Sequence, residues 1–249
     1  MGEFIKAIDF DPLPYLQAKR KEDLPVDYFE FYNSVSSVYS AKIEGEEIEY
    51  DSFFKYKFLG VTYEPDYTKR SNDLYQAYEF IGENDFNKSN LLKAHRILSQ
   101  NLLPASQRGI LRTNPMYVIG DDDKIKYVAC DQYKLRAEFD SLLNEIELAL
   151  NQELNSAEIF YYASMIHLAF VKIHPFQDGN GRTGRLLEKW FLLKKLGELG
   201  HIVNLEKNYY KNRDAYYSNI RKIGLEYDKL DYAKALDFLL MSMLSVKKK

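Results

Sequence analysis

The segment HPFQDGNGRTGR, residues 174–185, gathers a histidine, a carboxylate, three glycines and two arginines within a dozen positions. Such a set suits a site that holds polyphosphate and deprotonates a hydroxyl beside it. Gly179-Asn180-Gly181 can take positive-φ conformations that aim successive backbone N–H groups into one concavity. The Asn180 amide would add a donor. A helix opening just behind the glycines would add the positive end of its dipole. Arg182 and Arg185 lie three apart, so both project from that first turn, and guanidinium forks match phosphate oxygens. Asp178, at the lip of the nest, would repel phosphate unless a cation lay between. Mg²⁺ binds in that way, through one or two carboxylates plus substrate phosphate oxygens. His174 is the one nearby group with an ordinary pKa near neutrality, ~6.5, which suits a general base. Phe176 is expected to point inward and anchor the loop.

Two plainer readings compete. GNGRTG formally matches the dinucleotide fingerprint GxGxxG, with HIVNLE at 201–206 offering a strand and Glu206 a ribose ligand. That fingerprint must follow a short strand immediately, whereas His174–Asp178 intervenes here. The apolar run before it is also too long for one strand, and the chain lacks the alternating strands of a doubly wound sheet. Alternatively, the segment is a tight connection between helices whose arginines pair with surface acids. The concentration of His, Asp, Asn and two Arg around the glycines speaks against that.

The elements that must position these residues are mainly helical. Apolar spacing predicts helices over 27–44 (with Val26 at its edge and Gly45 as a stop), 71–83, 90–103 and 132–152. Residues 156–173 are apolar almost all round, which marks the buried centre of a domain. Further helices are expected over 183–196, 207–225 and 230–246. NPMYVIGDDDKIKYVAC breaks the pattern. Met116, Tyr117, Val118 and Ile119, then Ile125–Ala129, flank Gly-Asp-Asp-Asp and read as a β-hairpin that needs a neighbour to pack on. The tail Lys247-Lys248-Lys249 is expected to be exposed charge.

Composition bounds the function classes. The 249 residues are 46% hydrophobic and 29% charged, a balance that can bury a core, and 21 tyrosines contribute to an aromatic content of 15%. A formal charge of −3 argues against a generally nucleic-acid-binding or membrane-adsorbing surface. Cys130, the single cysteine, rules out an internal disulfide and a cysteine metal cluster. No secretory signal opens the chain, Lys6 occupies the position where a myristoylation signal wants Ser or Thr, and no apolar run reaches a membrane span. A cytoplasmic protein is expected. His95 and His167 lie on apolar helical faces and are expected in the core, His201 on the surface. No His-x-x-x-His pair suggests zinc.

HPFQDGNGRTGR is similar to the Fic-domain signature HxFx(D/E)GNGRxxR, with every defining position filled: His174, Phe176, Asp178, Gly179, Asn180, Gly181, Arg182 and Arg185. The resemblance covers about residues 30–245. It implies an all-α Fic fold with one short β-hairpin and protein adenylyltransferase activity, in which AMP passes from ATP to a Ser, Thr or Tyr hydroxyl of a protein target and pyrophosphate leaves. By position, His174 would be the base, Asp178 the Mg²⁺ ligand and Gly179, Asn180 and Gly181 the anion hole, with Arg182 and Arg185 on the β- and γ-phosphates. The hairpin 116–129 resembles the family's flap, which docks the target by strand addition. It lacks the Pro-Pro pair often found after the flap, having Ala129-Cys130-Asp131 instead. Tyr216 and Tyr217 match a tyrosine-rich helix that commonly lines the adenosine pocket.

SAKIEG, residues 40–45, fits the family's inhibitory pattern [ST]xxxE[GN], with Ser40, Glu44 and Gly45 at the constrained positions. Ser40 and Glu44 share a helical face. If that face packs beside the nest, Glu44 can pair with Arg185 and remove a guanidinium the γ-phosphate needs. The expected organisation is an inhibitory helical region over 1–70 and a catalytic core over 71–249, folded as one unit. Alternatives are a catalytically silent nucleotide- or partner-binding module and an enzyme removing AMP with the same site. Homo-oligomerisation and self-modification on a tyrosine stay open.

Overall fold

The computed structural model describes residues 1–20, 27–64, 66–119 and 123–247. Val26 at the edge of the first apolar stripe, Gly120–Asp122 of the hairpin turn and Lys248–Lys249 of the tail lie outside them. Of the described residues, 67% are helical. The helices are α1 (Gly2–Ala7), α2 (Pro12–Lys19), α3 (Tyr28–Ile43), α4 (Tyr50–Leu59), α5 (Lys69–Glu83) and α6 (Lys88–Leu98). After the hairpin strands β1 (Tyr117–Ile119) and β2 (Ile125–Val128) come α7 (Leu135–Asn151), α8 (Ser156–Ile173) and α9 (Asn180–Leu196). The chain closes with α10 (Leu199–Ile202), α11 (Leu205–Lys211), α12 (Arg213–Lys222) and α13 (Leu236–Lys247).

The expected all-α architecture with one hairpin is what the chain adopts. Several boundaries move for local reasons. The third predicted helix ends at Leu98, where the Ser99 hydroxyl donates to the His95 carbonyl (2.6 Å) and the chain turns. Asn101 is then held by Asp73 through its backbone N–H (2.8 Å) and its amide. The predicted 207–225 helix breaks at Asn212, whose φ of −121° and ψ of 40° separate α11 from α12. HIVNLE forms no strand but the end of α10 and the start of α11. Glu206, the ribose ligand of the dinucleotide reading, is buried and accepts from the Ser36 and Tyr78 hydroxyls (2.9 Å each). His201 is not a surface residue: it is half-buried against the Phe29 ring (4.8 Å), and burial lowers its pKa to about 4.

The all-round apolar helix α8 lies at the centre, packed by α7, α9 and α13. Its start is closed by a capping box in which Asn155 accepts from the Glu158 N–H and Glu158 accepts from the Asn155 N–H. The centre of α9 buries Leu186, Leu187, Trp190 and Phe191. A Cβ on Gly184 would stand 2.7 Å from His167 Cδ2 and 2.8 Å from Val171 Cγ1, so α8 and α9 approach as closely as they do only because that side chain is missing. Helix α3 packs on α5 and α11, and its last turn reaches the first turns of α9.

Gly184→Ala forces this contact apart. It is expected to destabilise the fold by about 1–3 kcal/mol, the usual cost of overpacking. Urea unfolding measures it, and an unchanged midpoint would show that α8 and α9 have room to spare.

Candidate active site

The site is built where α8 ends and α9 begins. His174 caps α8 in the left-handed conformation (φ 55°, ψ 59°), which costs a non-glycine residue of order 1–3 kcal/mol and persists only where surroundings enforce it. Its Nδ1 lies 3.2 Å from the Val171 carbonyl. A carbonyl only accepts, so Nδ1 carries the proton and Nε2 keeps the lone pair. Burial lowers the His174 pKa and outweighs the hydrogen bond to the Val171 carbonyl, which raises it; the Arg112 charge lowers it further, and Asp178 and Glu44 oppose that more weakly. The imidazole is thus neutral near pH 7, the form a general base needs.

Asn180 and His95 hold the loop between the two helices. The Asn180 side chain accepts from the Phe176 N–H (2.9 Å) and donates to the Phe176 carbonyl (2.8 Å). It therefore staples the loop from within, with its oxygen and one of its two N–H groups committed to the Phe176 backbone. The buried Phe176 ring stacks on His95 at 3.6 Å. The Gly109 N–H donates to His95 Nδ1 (2.8 Å), which leaves Nε2–H to donate to the Asp178 carbonyl (3.0 Å). Burial lowers the His95 pKa to about 4, so this tautomer is stable across the physiological range.

Of the glycine pair, only Gly179 has positive φ (78°), and it precedes the helix as its cap. Asn180 and Gly181 already belong to α9. The nest is thus a helix N-terminus, with its unsatisfied N–H groups and dipole. A Cβ on Gly181 would lie 2.5 Å from Glu44 Oε1, so any side chain there would have to displace that carboxylate. The carboxylate of Glu44 consequently stands over the first turn of α9, where an anion is favoured.

Arg185 has no exposed side-chain surface, and each of its three side-chain nitrogens is engaged. Nε donates to Ser40 Oγ (2.9 Å), Nη2 to the Ser40 carbonyl (3.1 Å) and Glu44 Oε1 (2.7 Å), and Nη1 to the Tyr216 hydroxyl (3.2 Å). Arg182 does not join it. Its Nη2 turns to Glu46 Oε1 (3.2 Å), which also pairs with Arg70 (2.6 Å), and its buried Nε finds no partner. Both arginines of the motif are therefore occupied by carboxylates from one segment, Glu44 and Glu46. Gly45 between them has a φ of 89°, which lets the chain leave α3 toward Arg182.

A cleft of about 830 Å³, a size typical of small-ligand sites, brings together Glu44, Gly181, His174, Val118, Ile119, Tyr127, Lys172, Tyr216 and Tyr217. Met116 and Tyr117 face a separate, smaller hollow of about 170 Å³ on the other side of the hairpin. Tyr216 touches the cleft, but its hydroxyl is committed to Arg185 and His167 (3.0 Å). Tyr217 is half-buried and donates to the Ile43 carbonyl (3.2 Å). Asp178 stands exposed at the lip, one carboxylate oxygen accepting from the Gly179 N–H (2.6 Å). Among the described residues no three His, Cys, Asp or Glu side chains gather into a cage for a metal. Mg²⁺ needs none when phosphate supplies oxygens, and Asp178 fits the role of its single protein ligand.

Residues 85–192 match the Fic/DOC family model. That stretch, which contains the 174–185 motif, carries the Fic domain. Over 115 residues, 46% of its length, the chain is 34% identical to the protein adenylyltransferase Fic of Culex quinquefasciatus, and over 104 residues, 42% of its length, 35% identical to that of Drosophila mojavensis. The matched stretch spans 21% and 19% of those relatives' own length. In fold it is similar to a Fic family protein from Desulfovibrio desulfuricans (TM-score 0.75, 19% identity, covering 95% of this chain and 72% of that one). A Fic-domain-containing signaling protein from Bacteroides thetaiotaomicron gives 0.70 at 18% identity, covering 95% and 93%. No described helix is long and apolar enough to cross a membrane.

Three residues that position the Fic motif escaped the sequence reading: Arg112, Glu46 and, in its detail, His95. Glu46 looked like one acid among many at a helix end. An arginine inside the apolar run Ile110-Leu111-Arg112 was the available signal for the first.

Burial raises the pKa of Glu44, but the Arg185 charge, then those of Arg182 and Arg213, outweigh it and hold the carboxyl below its ordinary value. A carboxylate lowered in this way stabilises the fold fully above its unfolded pKa and loses that contribution as pH falls through the folded one. The stability of wild type relative to Glu44→Gln should therefore stay constant from neutrality down to about pH 5 and decline below about pH 4. Urea unfolding across that range tests it. A difference that ignores pH down to about 3 would mean the Glu44–Arg185 pair contributes nothing.

Proposed function

We propose that this Fic domain is a protein adenylyltransferase held inactive by Glu44. The observation that carries the reading is the placement of the Glu44 carboxylate over Gly181, paired with Arg185 in the same cleft as His174. A carboxylate there stands in for a phosphate group. ATP would place its phosphates at the start of α9, with Arg185 on the outermost and Arg182 joining once it leaves Glu46. Asp178 would hold Mg²⁺, which neutralises charge on the phosphate oxygens. A target hydroxyl lying along the hairpin attacks the α-phosphorus, and its proton passes to His174 Nε2. The bond from the α-phosphorus to the bridging oxygen breaks, pyrophosphate leaves, and AMP remains on the target oxygen. In this reading residues 1–70 are the inhibitory region and 71–249 the core that carries the chemistry.

The similarity to protein adenylyltransferases and the unbroken motif support transfer of AMP. The shared cleft of Glu44 and His174 also allows Glu44 to orient a water for AMP removal, a reaction Glu44→Gly would abolish rather than release.

ATP labelled on the α-phosphate, with Mg²⁺, is to be incubated with wild type, Glu44→Gly and Glu44→Gly/His174→Ala in cell lysate. Protein labelling is expected from Glu44→Gly, little from wild type, and about 10²–10⁴-fold less from the double variant, the usual worth of a general base. Chelation of Mg²⁺ should stop it. Absence of label from every sample, with ATP binding retained by Glu44→Gly, would make the chain a nucleotide-binding module instead.

A further inference from the structure

The last carbonyls of a helix have no amide within the helix to accept from, and when buried they must be satisfied from outside. At the end of α8 the donors come in an ordered set. The Val171 carbonyl accepts from His174 Nδ1 (3.2 Å) and the Lys172 carbonyl from the Tyr127 hydroxyl (2.7 Å). The Ile173 carbonyl accepts from Arg112 Nη2 (3.4 Å), the His174 carbonyl from Arg112 Nε (2.7 Å) and the Pro175 carbonyl from the Arg112 N–H (3.0 Å). Beyond the first, every donor belongs to the hairpin or the strand entering it.

The same guanidinium also closes the hairpin's feet. Arg112 Nη1 donates to the Asn114 carbonyl before β1 (2.7 Å), and Nη2 to the Cys130 carbonyl after β2. Arg112 is buried, and among the described residues it forms no ion pair. Its charge is set instead at the negative end of the α8 dipole. Only a planar fork with five donors can reach carbonyls on both sides of it at once.

We propose that Arg112, assisted by Tyr127, is a positioning residue for His174, so that the placement of the base and the seating of a target on the hairpin are coupled through one guanidinium. The proposal rests on the reading of His174 as the general base. A hairpin pulled out of place by loss of the guanidinium releases the His174 carbonyl, and with it the strained backbone that makes Nδ1 donate to Val171. Once that donation is lost, Nε2 no longer holds the lone pair alone.

The test uses Glu44→Gly protein carrying Arg112→Gln, Arg112→Lys or Tyr127→Phe, each first checked for native circular dichroism and ATP affinity. The ¹⁵N imidazole signals of His174 report its tautomer and titration, and α-labelled ATP reports transfer. Arg112→Gln and Arg112→Lys should bind ATP as the parent does and transfer AMP roughly 10²-fold more slowly, the cost of misplacing a reacting group by about 1 Å. Tyr127→Phe, which loses one carbonyl partner, should lose less. His174 in Arg112→Gln should populate both neutral tautomers and titrate at higher pH than in the parent. The charged groups that face it are Arg112, Asp178 and Glu44, the last already removed in this background. Parental tautomer and parental transfer in folded Arg112→Gln would overturn the proposal, as would ATP affinity falling in step with transfer. If the parent itself transfers no AMP, the transferase reading fails, while the tautomer of His174 still decides the role of Arg112.

Discussion

Everything at this site is arranged around one permanently charged group that solvent does not reach. Burial of the Arg185 guanidinium works against its charge, and Tyr216 and Glu44 more than offset that, holding the pKa above its ordinary value. Removing the partner of a buried ion typically costs about 3–5 kcal/mol, because the remaining charge is left uncompensated. The Glu44–Arg185 contact therefore cannot simply open. It can be exchanged, carboxylate for another anion, with little net change in the environment of the guanidinium. In the proposed reading that anion is phosphate, so the brake and the substrate compete for one vacancy, and ATP has to displace Glu44 rather than find a site ready for it.

The competition is confined to one side of Arg185. Nε and Nη2 face α3, through Ser40 and Glu44, whereas Nη1 faces Tyr216. Arginine only donates, so the Tyr216 hydroxyl accepts from it and donates its own O–H to His167 Nε2. His167 Nδ1–H then donates to Glu188 (2.7 Å), a buried carboxylate that also accepts from Tyr209 and Ser242. The guanidinium is thereby tied to a buried negative charge through neutral groups. Loss of the Glu44 side chain removes the α3 carboxylate without freeing Arg185 to swing away. That separation of duties is why Glu44→Gly is the informative substitution and a change at Tyr216 is not: the latter would disturb the anchor as well as the contact.

A candidate chemistry could be read from the residue types of 174–185, because phosphate binding and proton abstraction would demand particular groups close together in sequence. The helices were legible from periodicity, and α3, α5, α7 and α8 fall where the apolar spacing puts them. What stayed hidden depends on contacts far apart along the chain. Gly181 reads as a flexible turn residue, yet a Cβ there would meet the Glu44 carboxylate, more than a hundred residues away. Asn180 reads as an anion donor, yet its oxygen and one of its N–H groups serve the Phe176 backbone. Arg182 reads as the twin of Arg185, and only the fold reveals that Glu46 draws it aside. Side-chain type limits what a group can do, while its partners decide which of those things it does.

Glu46 extends the logic of exchange to the second arginine. Its carboxylate is shared between Arg182 and Arg70, the latter nearly half exposed, so it has a cation to turn to when Arg182 is drawn toward phosphate. Among the described residues Glu44 forms one salt bridge, to the fully buried Arg185, and Arg213 acts on it only at longer range. The two carboxylates therefore differ in how they yield. Glu46 can release Arg182 and keep an ion pair, because its second partner Arg70 is already in contact. Glu44 must leave the cleft altogether, moving the end of α3 or its own rotamer into solvent. In the proposed reading Glu44, of the two, sets the barrier to filling the site, and Gly45, with its positive φ, turns the chain directly after it.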